Sequence, residues 1–398
     1  MINIDDSNKD KCCGCTACMN ICPVNAIEMI PDEEGFLYPK VDKDKCVNCG
    51  LCDKVCPYNR KDEKDDFLKA FVVQNKNEEI LNNCTSGGFF LPVASMVLEE
   101  NGYVYGSVLD ENLVVRHKEF SADNKGEVNE CQGSKYVQSE LGSIFRKIEK
   151  NLKEERLVCF SGTPCQVKGL KGYLGKEYEN LITIDLVCRS VPSPLFFKKY
   201  IEYQQEKYSS QIKKLSFRSK RYGYHSGALT IDFKNGKKYS GSNRVDLYSR
   251  SFHSDITSRY SCYNCPAKGM YRCSDFTIFD SWNPSELNDE IKDNDKGYTN
   301  VFIHTEKGYK IFKEKISDKF DFYEIDPFKA AQYTGGMIEK SIHKSDYRDK
   351  FYISLNENNF EKAISEFYKV SILEKMFEKS KKILYPIGIL KFLKSIKK

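Results

Sequence analysis

The sequence predicts a chain of mixed α+β and α/β class: a small cysteine-rich domain first, an α/β region after it, and a helical tail at the C-terminus. Three observations predict it. Nine of the 17 cysteines lie between Cys12 and Cys56, which marks the first sixty residues as a unit of their own. Beyond Tyr58 to Asp66, a charge-dense linker with nothing to bury, short apolar β-branched runs alternate with helical periodicity. From Ile372 to Lys398 the chain is basic and amphipathic. The domains drawn from this are 1–60, 61–192, 193–345 and 346–398.

Along the chain, Ala70 to Val73 is a short apolar run. Gly87 to Glu99 reads as a helix with Phe89, Phe90, Val93, Met96 and Val97 largely on one face. Val104 to Val108 and Leu113 to Arg116 read as strands. Arg156 to Phe160 and Ile182 to Val187 are β-rich runs ending in turn residues, with a helix between them from Pro164 to Leu174. Strand, helix, strand in that order is the signature of an α/β core. From Phe217 to Tyr248 the pattern alternates around Asn235-Gly236, which predicts a hairpin.

Composition narrows the function. A length of 398 residues allows two or three domains. With 62 basic and 57 acidic side chains the net charge is +5, too weak a bias to argue for a nucleic-acid partner. A mean hydropathy of −0.56, and a longest apolar run (Phe89 to Leu98) that is short and contains a proline, argue against a membrane span. The start, Met1-Ile-Asn-Ile-Asp-Asp6, has neither a basic nor an apolar leader region, so a cytoplasmic protein is expected. Seventeen cysteines in such a chain point to metal or redox chemistry rather than disulfides.

The cysteines are duplicated. Cys12, Cys15, Cys18 and Cys22-Pro23 recur as Cys46, Cys49, Cys52 and Cys56-Pro57 at a constant offset of 34 residues. Each half reads C-x₂-C-x₂-C-x₃-C-P, the run of bacterial two-cluster ferredoxins. Three thiolates at this spacing wrap one face of a cubane, and Gly14 and Gly50 allow the loop curvature this demands. The fourth cysteine in such a run ligates the other cluster. One [4Fe–4S] cluster is therefore expected on Cys12, Cys15, Cys18 and Cys56, and a second on Cys46, Cys49, Cys52 and Cys22. Zinc prefers two separated cysteine pairs, which this pattern fits poorly. Cys13, beside a ligand, reads as a bystander thiol. Two such clusters imply one-electron relay.

The run Phe160-Ser-Gly-Thr-Pro-Cys-Gln-Val-Lys-Gly-Leu-Lys171 is a glycine-containing strand-to-helix turn, suited either to an anion at the helix N-terminus or to a purely structural role. It lacks the P-loop ending, and no G-x-G-x-x-G follows any strand. Extended to Leu174, and taken with Asp185-Leu-Val-Cys-Arg-Ser-Val-Pro-Ser-Pro194, it resembles the coenzyme F-420 hydrogenase/dehydrogenase beta-subunit family. The resemblance continues in Ser86-Gly-Gly88, Gly133-Ser-Lys-Tyr-Val-Gln-Ser139, Cys262-Tyr-Asn-Cys265, Arg272-Cys-Ser-Asp-Phe-Thr-Ile278 and Gly297-Tyr-Thr-Asn300. With the ferredoxin run it covers about residues 10 to 310.

That resemblance implies an oxidoreductase whose α/β domain binds FAD beside a third [4Fe–4S] cluster. Electrons would pass between the clusters and a two-electron carrier, in several members the deazaflavin coenzyme F-420. Carried over, the third cluster's ligands would be Cys165, Cys188, Cys262 and Cys265, with structural zinc as the other reading. For the flavin, Ser86, Gly87 and Gly88 would cradle the pyrophosphate, Lys135 would bring a cation to the phosphates or the ring, and Gly162 and Thr163 would allow close approach of the isoalloxazine. Cys84, Cys131, Cys159 and Cys273 read as small buried residues. Where many members have Cys-His-Gly and Ile-Gly-Asp-Phe-Trp-Gly, this chain has Cys188-Arg-Ser190 and Ile278-Phe-Asp-Ser-Trp-Asn283, which bears on the deazaflavin substrate more than on the flavin.

None of the five histidines forms a ligand pair, and each reads as a surface or hydrogen-bonded residue. The expected partner is a redox protein or a small two-electron carrier, with no nucleic acid. A membrane-surface role for the C-terminal stretch ranks behind docking onto protein. The leading expectation is a flavin and iron–sulfur oxidoreductase; the alternative is a non-catalytic ferredoxin-like relay subunit of a larger complex.

Overall fold

The computed structural model describes residues 8–60 and 67–385. Residues 61–66 of the expected linker and 386–398 of the expected amphipathic stretch lie outside the described residues. Two compact units are present: Met1–Pro194 with Ser258–His343, and Leu195–Thr257 with Lys344–Lys398.

The first unit begins with the cysteine repeat. Helices α1 (Ala17–Ile21) and α2 (Leu51–Val55) flank a two-stranded antiparallel sheet, β1 (Ile27–Pro31) with β2 (Leu37–Val41), in which Ile27 faces Val41. Phe36 and Tyr38 are fully buried where the chain turns into β2.

The remaining strands are β3 (Lys69–Asn75), β4 (Tyr103–Leu109), β5 (Val115–Phe120), β6 (Val158–Ser161) and β7 (Leu181–Leu186), then β8 (Ile212–Ser219), β9 (Ala228–Phe233) and β10 (Lys238–Gly241), and finally β11 (Phe276–Ser281), β12 (Tyr298–Ile303) and β13 (Phe320–Glu324). The large sheet of the first unit has the order β13-β3-β12-β11-β7-β6-β4-β5. Its middle strands β11, β7, β6 and β4 are parallel, while β12 and β5 flank them antiparallel. Parallel strands need cover on both faces, which explains why β6 and β7 are apolar almost throughout. The carboxyl ends of β6 and β7 thus lie side by side, the edge at which open α/β sheets carry their ligands.

Three helices show how local chemistry sets the elements. α3 (Glu78–Asn83) starts at Asn77, whose side chain accepts from the amides of Glu79 and Ile80. α4 (Phe90–Glu99) begins three residues later than the periodicity predicts, because Gly88 is left-handed at φ +79°. Strand β5 likewise starts after the expected Leu113, which sits in a left-handed turn at φ +60°. α5 (Ile144–Lys153) buries Phe145, Ile148 and Leu152, and α6 (Pro164–Leu174) spans the residues expected of it. Thr163 and Gln166 form a capping box at the start of α6, with Pro164 in its first turn, and Gly175 closes it at φ +67°.

α6 packs directly on the cysteine repeat through two glycines. A Cβ at Gly169 would lie 2.8 Å from the Cys15 sulfur, and one at Gly172 would lie 2.5 Å from the Val55 carbonyl. Gly169→Val is expected to cost about 1–3 kcal/mol by overpacking, read as a lower denaturant midpoint. Gly126→Ala is the control, since nothing lies within 4 Å of that position. Equal midpoints for the two variants would show that α6 does not need this approach.

In the second unit the helix Pro194–Tyr208 accompanies the antiparallel sheet β10-β9-β8. The expected hairpin is β9 with β10, turning through Asn235 and Gly236, the latter at φ +83°. Phe196 stacks on Tyr248 at 4.7 Å and meets Phe351 and Phe360, which belong to helices Arg348–Glu357 and Phe360–Ser365. A last helix runs from Ile372 to Leu384. Among the described residues no helix is long and apolar enough to cross a membrane.

Candidate functional site

The two halves of the cysteine repeat use the same backbone. Each places two left-handed residues in its loop: Gly14 (φ 68°) and Thr16 (φ 63°) in the first, Asn48 (φ 54°) and Gly50 (φ 71°) in the second. Each half therefore has a glycine at only one of its two strained positions, and sequence reasoning found that one and missed its partner. Thr16 and Asn48 carry strain that only a fixed loop would hold in place.

These loops bring the eight cysteines into two groups of four. Cys46, Cys49 and Cys52 line a shallow recess together with Cys22 from the other half, among Val47 and Leu51. Cys12, Cys15 and Cys18 line a second, larger recess together with Cys56, near Tyr58. Each group is thus three cysteines from one repeat and one from its twin. Backbone amides point at the sulfurs: Ala26 donates to Cys22 at 3.2 Å, and Ala17 to Cys15. Among the described residues no three His, Cys, Asp or Glu side chains close on one point as a single ion requires. A cubane binds its four cysteines through four different irons, so sulfurs spaced around a recess suit it.

The other four expected ligands lie near enough for their charges to act on one another. Cys165 sits in the first turn of α6 beyond β6, Cys188 lies two residues past the end of β7, Cys262 lies within the turn Tyr260–Asn264 and Cys265 caps it. Burial raises the thiols of Cys188, Cys262 and Cys265, Cys262 to about 12, and the neighbouring Cys13 thiol together with burial raises Cys165. Cys188 also feels Cys262, Cys165 and Cys265, and Cys165 acts on both members of the C-x₂-C pair. Lys268 holds the backbone on one side, donating to the Cys188 carbonyl at 2.8 Å and the Met337 carbonyl at 2.6 Å, while Ser341 accepts from the Cys265 amide.

Three residues join this third set to the first recess. The Cys13 thiol, expected as a bystander, lies beside both Cys15 and Cys165. The Tyr58 hydroxyl lies 3.1 Å from the carbonyls of Ser261 and Asn264, within the turn that carries Cys262 and Cys265. Arg259 is fully buried between them. Its guanidinium donates to the Cys12 carbonyl (2.7 Å), Gln138 (2.9 Å), the Leu37 carbonyl (2.9 Å) and the Cys12 sulfur (3.5 Å). The charge stacks over the Tyr38 ring at 4.0 Å and acts on Cys165 and Cys262 as well. Sequence reasoning missed Arg259, Gln138 and Tyr38. The one available signal was an arginine three residues ahead of a C-x₂-C pair.

Of the residues expected at a flavin, the 86–88 turn lies against β3 and β12, and Gly162 and Thr163 follow β6. The amide of Gly87 donates to Thr299 Oγ1 at 2.7 Å, and a Cβ there would lie 2.3 Å from the Val73 carbonyl. Gly87 is thus fixed by packing between β3 and β12, and its N–H is already engaged. Ser86 shares a 2.8 Å hydrogen bond with the same threonine. The adjoining Thr85 accepts from the amide of Ser134, which brings the 86–88 turn beside Lys135. Burial lowers Lys135 to about 8, and its ammonium donates to the carbonyls of Glu130 and Gln132. Thr163 Oγ1 lies 3.2 Å from the Cys165 sulfur, and the Gly162 amide donates to Ile184.

A hydrogen-bonded chain holds this turn. Gln166 accepts from the Thr163 amide and donates to Ser139, Ser139 donates to His117 Nδ1, and Nε2–H of His117 donates to the Ser161 carbonyl at 2.9 Å. Burial, with Lys135 nearby, lowers His117 to about 4. Unfolded, the same ring protonates near 6.5. The stability it contributes is complete above pH 6.5 and lost as pH falls towards about 4, on the order of 3 kcal/mol. His117→Gln is expected to flatten the decline of the denaturant midpoint between pH 7 and 4.5; an unchanged slope would assign that decline to other groups. His304 is also buried and held neutral, and Thr277 meets its Nε2. Of the remaining cysteines, Cys159 is buried in the core, and Cys131 and Cys273 pack against core clusters.

Residues 11–60 match the model of the 4Fe-4S dicluster domain, and residues 155–328 match that of the C-terminal part of the coenzyme F420 hydrogenase/dehydrogenase beta subunit. The uncharacterized protein MJ1349 of Methanocaldococcus jannaschii is 24% identical over 267 residues, spanning 65% of this chain and 66% of that relative. A chain from the F420-reducing [NiFe] hydrogenase complex of Methanosarcina barkeri is 15% identical, covers 76% of this chain and 91% of its own, and has a TM-score of 0.44. This chain is an iron–sulfur redox protein carrying a dicluster domain and a segment of the F420 hydrogenase beta-subunit type.

Proposed function

We propose that the chain is a flavin-dependent oxidoreductase with three [4Fe–4S] clusters, on Cys12/Cys15/Cys18/Cys56, on Cys46/Cys49/Cys52/Cys22 and on Cys165/Cys188/Cys262/Cys265. The observation that carries the reading is the linkage through Cys13, Tyr58 and Arg259, which joins the first recess to the third set at the carboxyl ends of β6 and β7. Two separate structural metal sites would need no such linkage. FAD, when bound, supplies the exchange between single electrons and a hydride. Ser86, Gly88, Lys135, Gly162 and Thr163 would hold it, with Gly87 acting through its lack of a side chain.

The chain's own part is positioning. The His117–Ser139–Gln166 network fixes the turn that carries Gly162, Thr163 and Cys165. Lys135, lowered by burial, keeps a cationic donor beside the 86–88 turn. A two-electron carrier, a deazaflavin or another hydride acceptor, or a redox partner protein would complete the path. The test is the flavin content of anaerobically prepared, fully metallated protein. About one FAD per chain is expected, falling in Lys135→Ala. A fully metallated chain without flavin would instead make it a relay subunit.

A further inference from the structure

The helix Ile372–Leu384 is amphipathic the wrong way round for a helix that serves only its own fold. Surface helices turn their apolar stripe to the core. Here the inward side is polar. Glu378 accepts from the amide of Ser242 (3.0 Å) and from its hydroxyl (2.7 Å), Lys381 donates to Glu378 (2.8 Å), and Arg250 pairs with Glu374 (3.3 Å). Glu378 and Lys381 are both buried. Outward stand Ile372 (76% exposed), Leu373 (77%), Met376 (62%), Phe377 (43%) and Ile383 (69%). At 3.6 residues per turn these five fall within an arc of roughly 140°.

We propose that this face is an interfacial docking surface for an anionic lipid bilayer. Charge favours lipid over a protein partner or a second copy. Both carboxylates of the helix are paired, Glu378 in a buried ion pair with Lys381 and Glu374 with Arg250, so among its described side chains the unpaired outward charges are the exposed Lys375 and Lys379. Arg244 adds a cation over the Phe377 ring at 5.6 Å. Apolar side chains flanked by basic ones are the pattern of a helix lying in a headgroup layer, where each lysine is drawn by anionic lipid. Among the described residues no helix is long and apolar enough to span, and the contact proposed for this helix is peripheral. The proposal does not depend on the redox reading.

The test is co-sedimentation of the full chain with vesicles of phosphatidylcholine alone and of phosphatidylcholine with phosphatidylglycerol. Binding is expected only with phosphatidylglycerol, weakened at high salt and unaffected by competing inorganic phosphate. Leu373→Glu and the pair Lys375→Glu, Lys379→Glu should each reduce it at least tenfold, while thermal unfolding stays within a few degrees of the parent. No binding to either vesicle overturns the proposal, as does retained binding in both variants. A chain that is dimeric in solution and becomes monomeric in Leu373→Glu overturns it in favour of a second copy.

Discussion

Arg259→Gln is expected to lower the reduction potential of the cluster proposed on Cys12, Cys15, Cys18 and Cys56 by about 59 mV or more, a tenfold or larger change in a one-electron equilibrium. Cluster potentials respond to net charge, to hydrogen bonds on the sulfurs and to solvent exposure. Arg259 supplies the first two together: a fully buried positive charge and an N–H 3.5 Å from the Cys12 sulfur. The same substitution leaves the carbonyls of Cys12 and Leu37 short of a donor, at about 1–3 kcal/mol each. Arg259→Lys separates the two effects. It keeps the charge but not the planar fork, so stability should fall while most of the potential is retained. Equal potentials in parent, Lys and Gln variants would remove Arg259 from any tuning role.

The second large effect concerns which fourth cysteine belongs to which cluster. Cys56→Ser should abolish the cluster proposed beside Arg259, and Cys22→Ser should abolish the other, because each recess draws its fourth cysteine from the opposite repeat. Combining the substitutions makes the assignment readable. In a Cys22→Ser background, Arg259→Gln should still shift a cluster potential, whereas in Cys56→Ser the shift should vanish. The reverse outcome would mean that each repeat keeps its own four cysteines.

What the sequence makes legible follows from how local the constraint is. Cluster ligands are fixed by spacing, so the offset of 34 residues is enough to group Cys12 to Cys56 as the recesses do. α6 is legible because its start and stop are written in adjacent residues, Thr163-Pro164 and Gly175. Arg259 is not legible in that way: its partners are more than one hundred residues distant in the chain, and nothing local distinguishes a buried arginine from a surface one. The second unit was hidden for a similar reason. It joins 195–257 to 344–398, and chain continuity shows no break at 258. The C-terminal helix was legible as amphipathic but not in its direction, because periodicity does not say which stripe the fold buries. Gly87 shows a further limit: the motif marks a glycine, but only packing reveals that its amide is spent on Thr299.

Iron and acid-labile sulfide per chain, measured on anaerobically prepared protein and on its Cys262→Ser/Cys265→Ser variant, test the three-cluster relay most directly. At four irons per cubane, about twelve irons with matching sulfide are expected in the parent and about eight in the variant. About eight in both, with zinc accompanying Cys165 and Cys188 in the parent, would contradict the third cluster and end the relay at the N-terminal domain.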